Sequence, residues 1–287
     1  MTRGAGRRVC IVTGAGSGIG RSTALLLGGR GATLELIDWN GGGLAETASL
    51  VRAAGAVDVT TRILDVGDAA DVSAYAAEAA CRHAGVDLLV NNAGVAFVGE
   101  FASTETEHWE EIFRVNVLGA VNCVRAFLEP LRARRGQIVN VASAAVFFTP
   151  STLGAYGASK HALLGWSEAL RLELARDGVG VTVVCPGFVA TPLADHLGLP
   201  PGSEGERTRL KALLRRLGCA PERVARAIAD AETRRPALVT VGVDAAVLRL
   251  LKRFVPWAIP ELALRVASSR TVRDMKHARP IGQSDRR

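Results

Sequence analysis

Short apolar runs rich in β-branched residues alternate with longer amphipathic segments along most of this chain. The apolar runs predict strands at residues 9–13, 33–38, 57–64, 86–91, 137–141, 179–185 and 237–242. The segments between them have helical spacing, at residues 18–29, 44–54, 69–83, 106–134 (two helices), 155–176 and 221–235. Strands separated by helices pair in parallel through right-handed crossovers. The pattern therefore predicts an α/β fold, a doubly wound parallel sheet of about seven strands with helices on both faces.

The regular alternation ends after residue 192. The stretch that follows combines Gly and Pro with a run of charged residues, and we expect it to form a substrate lid over about residues 192–218. One more helix and one more strand come after it. The sequence therefore predicts a single domain over residues 1–243, followed by a helical C-terminal extension over residues 244–287.

The start of this extension carries both apolar and basic residues. Arg249, Lys252 and Arg253 fall on one face of a helix, and most of the large apolar side chains lie elsewhere. We favour a helix that packs over the substrate pocket or against another subunit. The alternative is peripheral contact with a membrane surface through residues 245–270.

Composition and charge exclude several classes of protein. With 287 residues, 48% hydrophobic and 22% charged, the chain is globular. The five Cys are scattered and the five His stand apart, which favours a reducing, cytoplasmic compartment and no metal site. The first apolar run is too short for a signal peptide. The net charge of +7 is spread along the chain without a nucleic-acid motif, so we expect no nucleic-acid partner.

A glycine-rich turn lies where the first predicted strand meets the first predicted helix. Gly14, Gly18 and Gly20 allow a close approach of the backbone to a diphosphate at the helix N-terminus. A nucleoside-triphosphate P-loop does not fit, because Ala15 takes the place of its first glycine and Arg21 the place of its lysine. The turn predicts a dinucleotide cofactor, and a merely flexible turn is the alternative.

Acidic residues end the second and third strands. Asp38 is placed to accept hydrogen bonds from the adenosine ribose and to repel a 2′-phosphate, which favours NAD over NADP. No Arg stands at positions 17, 39 or 40 to pair with such a phosphate. Asp65 and Val66 are expected to border the adenine. The alternatives are a turn residue for Asp38 and a helix cap for Asp65.

Tyr156 and Lys160 are four residues apart at the start of a predicted helix, so their side chains share a face. An ammonium beside a phenol lowers the pKa of the phenol, which lets it act as an acid or base. Ser143 adds a hydroxyl at the end of the fifth strand. Alone, such a pair is also typical of a solvated helix face.

In combination, these motifs resemble those of the short-chain dehydrogenase/reductase family. Between about residues 7 and 242 they occur in that family's order: Thr13-Gly-x3-Gly-Ile-Gly20, Asn91-Asn-Ala-Gly94, Asn116, Ser143, Tyr156-x3-Lys160 and Pro186-Gly-x-Val-x-Thr191. The resemblance implies a Rossmann fold and an NAD(P)-dependent enzyme, and we expect a homodimer or homotetramer. The chain departs from the family at its end, where Val239-Thr-Val-Gly-Val-Asp244 replaces the common Val-Asp-Gly-Gly turn.

The resemblance also implies a role for each matching residue. Tyr156 exchanges a proton with the substrate oxygen, and Ser143 hydrogen-bonds that oxygen. Lys160 binds the nicotinamide ribose and lowers the pKa of Tyr156, and Asn116 holds a water that passes protons onward. Asn91 and Gly94 shape the cofactor floor, and the alternative role of Asn91 is to tie neighbouring strands together. The other implied cofactor contacts are Ser17, Ile19, Asp65, Val66, Asn92, Ala93, Pro186, Gly187, Val189 and Thr191, of which the last two touch the carboxamide.

Apolar residues are expected to line the mouth of the site. They predict a lipophilic secondary alcohol or ketone as substrate, oxidised or reduced with NAD. Two alternatives stay open: an NADPH-dependent 3-oxoacyl or quinone-type carbonyl reductase, and a dinucleotide-binding regulator without turnover. The expected lining residues are Ala96, Phe97, Val98, Ala145, Val146, Phe147, Phe148, Leu153 and Phe188, with the lid.

Overall fold

A computed structural model gives the fold of residues 8–191 and 218–257, together with residues 205, 208, 212, 216 and 261. The strands are β1 Val9–Thr13, β2 Thr33–Asp38, β3 Asp58–Ile63, β4 Leu88–Asn91, β5 Gln137–Val141, β6 Gly180–Pro186 and β7 Leu238–Val241. The main helices are α1 Gly18–Gly28, α2 Gly41–Ala53, α3 Ala69–Arg82, α4 Thr106–Phe113, α5 Gly119–Arg134, α6 Gly154–Leu174, α7 Pro221–Arg234 and α8 Val243–Phe254.

The seven strands form one sheet in the order β3-β2-β1-β4-β5-β6-β7, and every neighbouring pair is parallel. The predicted doubly wound parallel sheet is confirmed. The chain builds outward from β1 to one edge and then returns to build from β4 to the other edge. This reversal opens a crevice at the carboxyl ends of β1 and β4, which is where such sheets bind ligands.

Helices cover both faces of the sheet, and alternate strand residues point to opposite faces. Cys10 and Val12 of β1 pack in the core beneath α1, α2 and α7. Val9 and Ile11 pack in the core beneath α3, α5 and α6. Burial on both faces explains why these strands are almost continuously apolar in the sequence.

Two helix boundaries differ from those expected from the pattern. Helix α2 begins at Gly41, three residues earlier than predicted, because the Asn40 side chain caps it by accepting the Gly43 N–H at 3.1 Å. The two helices predicted between residues 106 and 134 follow each other through a π-helical turn, Arg114–Leu118. A π turn widens the helix locally, and such turns are frequent at functional sites.

The regions after β6 and after α8 are only partly described. The predicted lid, residues 192–218, lies almost wholly outside the described residues. The predicted C-terminal extension is described to residue 257, and its first part forms the expected helix, α8. None of the described helices is both long enough and apolar enough to cross a membrane.

Candidate active site

The predicted site residues meet at the carboxyl ends of β1 to β6. The glycine turn follows β1, Asp38 ends β2, and Asp65 and Val66 follow β3. Three residues, 92–94, follow β4, Ser143 follows β5, and the segment 186–191 leaves β6. Asn116 enters from the π turn, while Tyr156 and Lys160 enter from α6. Because the strands are parallel, the loops that follow their carboxyl ends all lie at the same end of the sheet.

The glycine turn lies tightly against the loop after β4. Thr13 Oγ1 accepts the N–H groups of Asn92 and Ala93, each at 3.0 Å, and Asn92 Nδ2 donates to the Gly14 carbonyl at 3.1 Å. Gly14 has a φ of +64°, and a Cβ there would lie 2.8 Å from Asn92 Nδ2. A Cβ on Gly20 would overlap the Gly14 carbonyl. The packing therefore requires glycine at both positions.

The N-terminus of α1 opens onto this turn. Ser17 precedes the helix and its side chain makes no capping hydrogen bond, and the first turn holds no acidic residue. The first helical residues, Gly18, Ile19 and Gly20, bring backbone N–H groups to that end, where the helix dipole favours an anion. The turn therefore fits the diphosphate of a dinucleotide.

Asp38 lies beside the glycine turn and is buried. Its Oδ2 accepts the Gly16 N–H at 2.7 Å and its Oδ1 accepts the Asn40 N–H at 2.8 Å. A Cβ on Gly16 would lie only 2.9 Å from Oδ2, so Gly16 has to be a glycine for this contact. Arg21 donates to the Gly16 carbonyl at 2.7 Å, and this second hydrogen bond helps to hold the same turn. Sequence reasoning singled out neither Gly16 nor Arg21 as a contact of this kind.

Asp65 and Val66, which are predicted to border the adenine, follow the end of β3. Asp65 pairs with Arg114 at 2.7 Å and accepts the Gly67 N–H at 2.8 Å. Val66 is buried. The alternative role for Asp65, a helix cap, is wrong, because Asp68 caps α3 by accepting two backbone N–H groups at 2.9 and 3.0 Å.

Tyr156, Lys160 and Ser143 share one site. The Lys160 Nζ donates to the Val141 carbonyl at 3.0 Å and lies 5.7 Å from the centre of the Tyr156 ring. Ser143 is hydrogen-bonded to Tyr156 and accepts the Ala145 N–H at 3.1 Å. The ordering of Ser143 by a backbone amide keeps its hydroxyl beside the phenol.

The pKa values at this site follow burial more than pairing. Burial raises the pKa of Tyr156, although the hydrogen bond with Ser143 lowers it. Burial also lowers the pKa of Lys160 to about 8. The resemblance implied that Lys160 lowers the pKa of Tyr156, but in this structure the net direction is upward. The physical reason is that desolvation of the phenolate, together with the nearby Cys185, outweighs the hydrogen bond with Ser143.

Asn116 is fixed by three hydrogen bonds in the π turn. Its Oδ1 accepts the Val95 N–H at 2.8 Å, and its Nδ2 donates to the Val95 carbonyl and to Ser159 Oγ, both at 3.0 Å. A Cβ on Gly94 would lie 3.0 Å from Asn116 Oδ1 and 3.5 Å from Lys160 Nζ. Asn116, Gly94 and Lys160 are thus neighbours, and no pattern in the sequence pointed to the hydrogen bond of Ser159 with Asn116.

Asn91 ties strands together, as one of its two interpretations expected. Its Nδ2 donates to Asn140 Oδ1 at 2.8 Å across the β4–β5 pair. Asn140 in turn donates to Ser167 of α6, also at 2.8 Å. This buried chain of amides and hydroxyls holds α6, which carries Tyr156, against the sheet.

The segment after β6 is held by backbone hydrogen bonds. Gly187 donates to the Val241 carbonyl at 2.8 Å, and Val189 forms a bridge with Cys219. The Thr191 N–H donates to the Val189 carbonyl at 2.9 Å. Pro186 is the last residue of β6. The segment predicted to contact the carboxamide therefore starts at the strand end and turns sharply beside the site.

The nine expected substrate-lining residues differ in their exposure to solvent. Five are buried, and of these Phe97 packs its ring against His108 with the ring centres 4.0 Å apart, so that it belongs to the core. Phe188 is 45% exposed, and three others are partly open to solvent. The buried group is Ala96, Phe97, Ala145, Val146 and Phe147, and the partly open group is Val98, Phe148 and Leu153.

Known proteins are similar to this chain in sequence and in fold. The family model described as short chain dehydrogenase matches residues 8–200. A protein named as an oxidoreductase, EphD of Mycobacterium tuberculosis, is 36% identical over 264 residues, which are 89% of this chain and 44% of the relative. This chain therefore spans less than half the length of that relative. A protein named as ketoacyl reductase 1 of granaticin polyketide synthase, from Streptomyces violaceoruber, is 39% identical over 196 residues, 67% of this chain and 72% of the relative.

A solved structure agrees with these sequence matches. The short chain dehydrogenase/reductase from Burkholderia phymatum, crystallised in complex with NAD, is 32% identical to this chain. It superposes with a TM-score of 0.79 and covers 87% of this chain and 94% of its own.

Proposed function

This chain belongs to the short-chain dehydrogenase family, and on that premise we propose that it is an NAD-dependent oxidoreductase acting on a lipophilic secondary alcohol or ketone. The observation that carries the proposal is the hydrogen-bonded pair of Tyr156 and Ser143, with Lys160 beside the ring. These groups lie at the carboxyl ends of the strands, beside the glycine turn that is suited to receive a diphosphate. An acid–base group next to a dinucleotide site is what alcohol oxidation requires.

Each catalytic group has a definite task in this proposal. Tyr156 gives its phenol proton to the substrate oxygen when a ketone is reduced, and its phenolate takes the hydroxyl proton when an alcohol is oxidised. Ser143 donates a hydrogen bond to the same oxygen and orients it. Lys160 holds positive charge near the phenol and hydrogen-bonds the cofactor ribose, and Asn116 positions a water for proton exchange. A bound nicotinamide supplies or accepts the hydride.

Asp38 supports NAD as the cofactor. Its carboxylate is buried against the Gly16 amide, so a 2′-phosphate brought there would meet a negative charge at short range. The Arg21 guanidinium, which contacts the turn, is engaged by the Gly16 carbonyl and by Glu46, each at 2.7 Å. The site thus holds a group that repels the extra phosphate of NADP.

Turnover tests the proposal directly. We expect NADH formation from NAD with hydrophobic secondary alcohols, and at least tenfold lower kcat/KM with NADP. Tyr156→Phe should abolish turnover while NADH binding is kept. Tyr75→Phe is the matched control, because the sequence has two tyrosines and Tyr75 lies in the core. Equal activity of the parent and Tyr156→Phe would overturn the assignment of the base.

A second enzymatic function has one observation in its favour. One relative is named as a ketoacyl reductase, which makes an NADPH-dependent 3-oxoacyl or quinone-type reductase the alternative. Reduction of a 3-oxoacyl thioester with NADPH in preference to NADH would select it. A regulator without turnover would bind NADH and stay inactive across the alcohol, ketone and thioester panel.

We propose a second copy of the chain as the protein partner. Helix α8 packs inward through Ala245, which is fully buried, and presents Val247, Leu250 and Phe254 outward at 49%, 60% and 69% exposure. A homodimer or homotetramer would cover this apolar stripe. Membrane contact is the alternative, since Arg249 and Arg253 lie next to the stripe. The five cysteines all lie in the described part of the chain and form no disulfide there, which supports a reducing, cytoplasmic location.

A further inference from the structure

Asp244, in the first turn of α8, holds the segment that follows β6. Its Oδ2 accepts the Phe188 N–H at 2.7 Å. The preceding amide, that of Gly187, donates to the Val241 carbonyl at 2.8 Å. Two successive amides of the segment are therefore bound by the end of β7 and the start of α8, which are more than 50 residues away in sequence.

Two glycines make room for this carboxylate. A Cβ on Gly187 would overlap both carboxylate oxygens of Asp244, and a Cβ on Gly242 would overlap Oδ1. Gly242 also adopts a φ of +107°, which disfavours any other residue. The Asp244 carboxylate therefore occupies space that is available only because Gly187 and Gly242 have no Cβ.

Cys219 holds the other side of the same segment. The Phe188 carbonyl accepts the Cys219 N–H at 2.8 Å, and the Cys219 carbonyl accepts the Ala190 N–H at 3.0 Å. The Cys219 contacts are made by the backbone alone, whereas the Asp244 contact uses a charged side chain. A hydrogen bond to a charged acceptor is about twice as strong as one between neutral groups. The side-chain contact is also the one that a substitution can remove.

We propose that Asp244 is a positioning residue for the nicotinamide end of the cofactor. By fixing the Phe188 amide it sets the path of the next three residues, and Val189 and Thr191 then reach the carboxamide. The inference rests on the proposed function, in which these two residues contact that group. It extends the site to α8, beyond the segment that the resemblance covers.

A role for Asp244 limited to stability makes a different prediction. An acidic residue in the first turn stabilises a helix through its dipole. Loss of that effect alone would lower the free energy of unfolding and weaken all cofactor fragments equally. If Asp244 positions the segment after β6, its loss should weaken binding of the nicotinamide half of the cofactor and leave binding of the adenosine half unchanged.

The test compares NADH with ADP-ribose, which lacks the nicotinamide, by calorimetric titration of the full chain. Asp244→Ala should raise the Kd for NADH about tenfold and change the Kd for ADP-ribose less than twofold. Asp244→Asn keeps an acceptor oxygen and should stay close to the parent. Glu107→Ala is the control, because it removes an exposed carboxylate from the first turn of another helix, α4.

Hydrogen exchange without cofactor gives an independent measurement. In Asp244→Ala the Phe188 amide should exchange about tenfold faster than in the parent. An unchanged ratio of the two Kd values, or unchanged exchange at Phe188, would overturn the positioning role of Asp244. The proposed function would not be affected by that outcome. A parent that binds ADP-ribose and NADH equally would contradict the carboxamide contact. A parent that binds neither would overturn the proposed function, and this inference with it.

Discussion

At the scale of single residues, Lys160 carries a cost in stability that its function explains. Burial lowers its pKa from 10.5 to about 8, which corresponds to about 3 kcal/mol against the charged form. Lys160→Met removes this cost but loses the hydrogen bond to the Val141 carbonyl, worth about 1 kcal/mol. We expect urea unfolding at pH 7 to show the variant about 2 kcal/mol more stable than the parent, and inactive.

The pH dependence of the Lys160 contribution has a definite sign. Between about pH 8 and 10.5 the unfolded chain binds the lysine proton and the folded chain does not, so this contribution to the free energy of unfolding rises with pH. The difference in stability between Lys160→Met and the parent should therefore shrink from pH 7 to pH 10. A constant difference would show that Lys160 is not desolvated in the folded chain.

Gly94 tests the space between the catalytic groups. An added methyl would lie 3.0 Å from Asn116 Oδ1 and 3.5 Å from Lys160 Nζ. Gly94→Ala therefore fills space at the site and requires only a small shift of the neighbouring atoms. We expect kcat/KM with NAD to fall at least tenfold. Gly165→Ala, in α6, is the control and should keep full activity, because an added Cβ there would meet no atom within 4 Å beyond its chain neighbours and its own helix backbone. Equal activities would exclude Gly94 from the cofactor floor.

At the scale of elements, a buried carboxylate joins β2 to α3. Glu35 is fully buried and is bound by the Tyr75 hydroxyl, by Arg82 at 3.2 Å and by His83 at 2.6 Å. Glu35→Leu leaves the buried Tyr75 hydroxyl without this acceptor, and we expect a loss of about 3 kcal/mol in chemical unfolding. Adding Tyr75→Phe should recover about 1 kcal/mol. Additive losses from the two changes would contradict the network.

The elements that could be predicted are those whose signal is local. The strands were found because burial on both faces makes them apolar runs, and β1 is an example. The start of α2 was missed because three glycines follow its cap, Asn40, and glycine is a poor helix former. The π turn at Asn116 depends on packing against Val95 and Ser159, which no local pattern encodes.

The candidate site divides in the same way. Tyr156 and Lys160 could be predicted because one helical turn separates them. The contact of Gly16 with Asp38 joins residues 22 apart, and that of Asp244 with Phe188 joins residues 56 apart. Such contacts arise from the order of the strands in the sheet, so they follow only once the whole sheet is assembled.

At the scale of the whole molecule, β7 ends the sheet on one side, and no described strand pairs with its outer edge. A groove of about 760 Å³ runs between α7, β7 and α8, and Val247 and Leu250 line one wall. An unpaired strand edge next to an apolar wall is a surface on which a second chain can pair. The opposite wall carries Arg223, Arg226 and Asp230, so a copy related by a two-fold axis could bring opposite charges together.

Leu250→Glu tests whether this groove is the subunit interface. A carboxylate in the middle of a buried apolar contact is costly, so we expect sedimentation to show a smaller assembly than the parent forms. Leu172→Glu, on an exposed leucine of α6, is the control and should leave the assembly unchanged. A parent that is monomeric, and that pellets with anionic liposomes until Leu250→Glu releases it, would favour the membrane alternative. A parent assembly unaffected by Leu250→Glu would place the interface elsewhere and leave the apolar stripe of α8 to another partner.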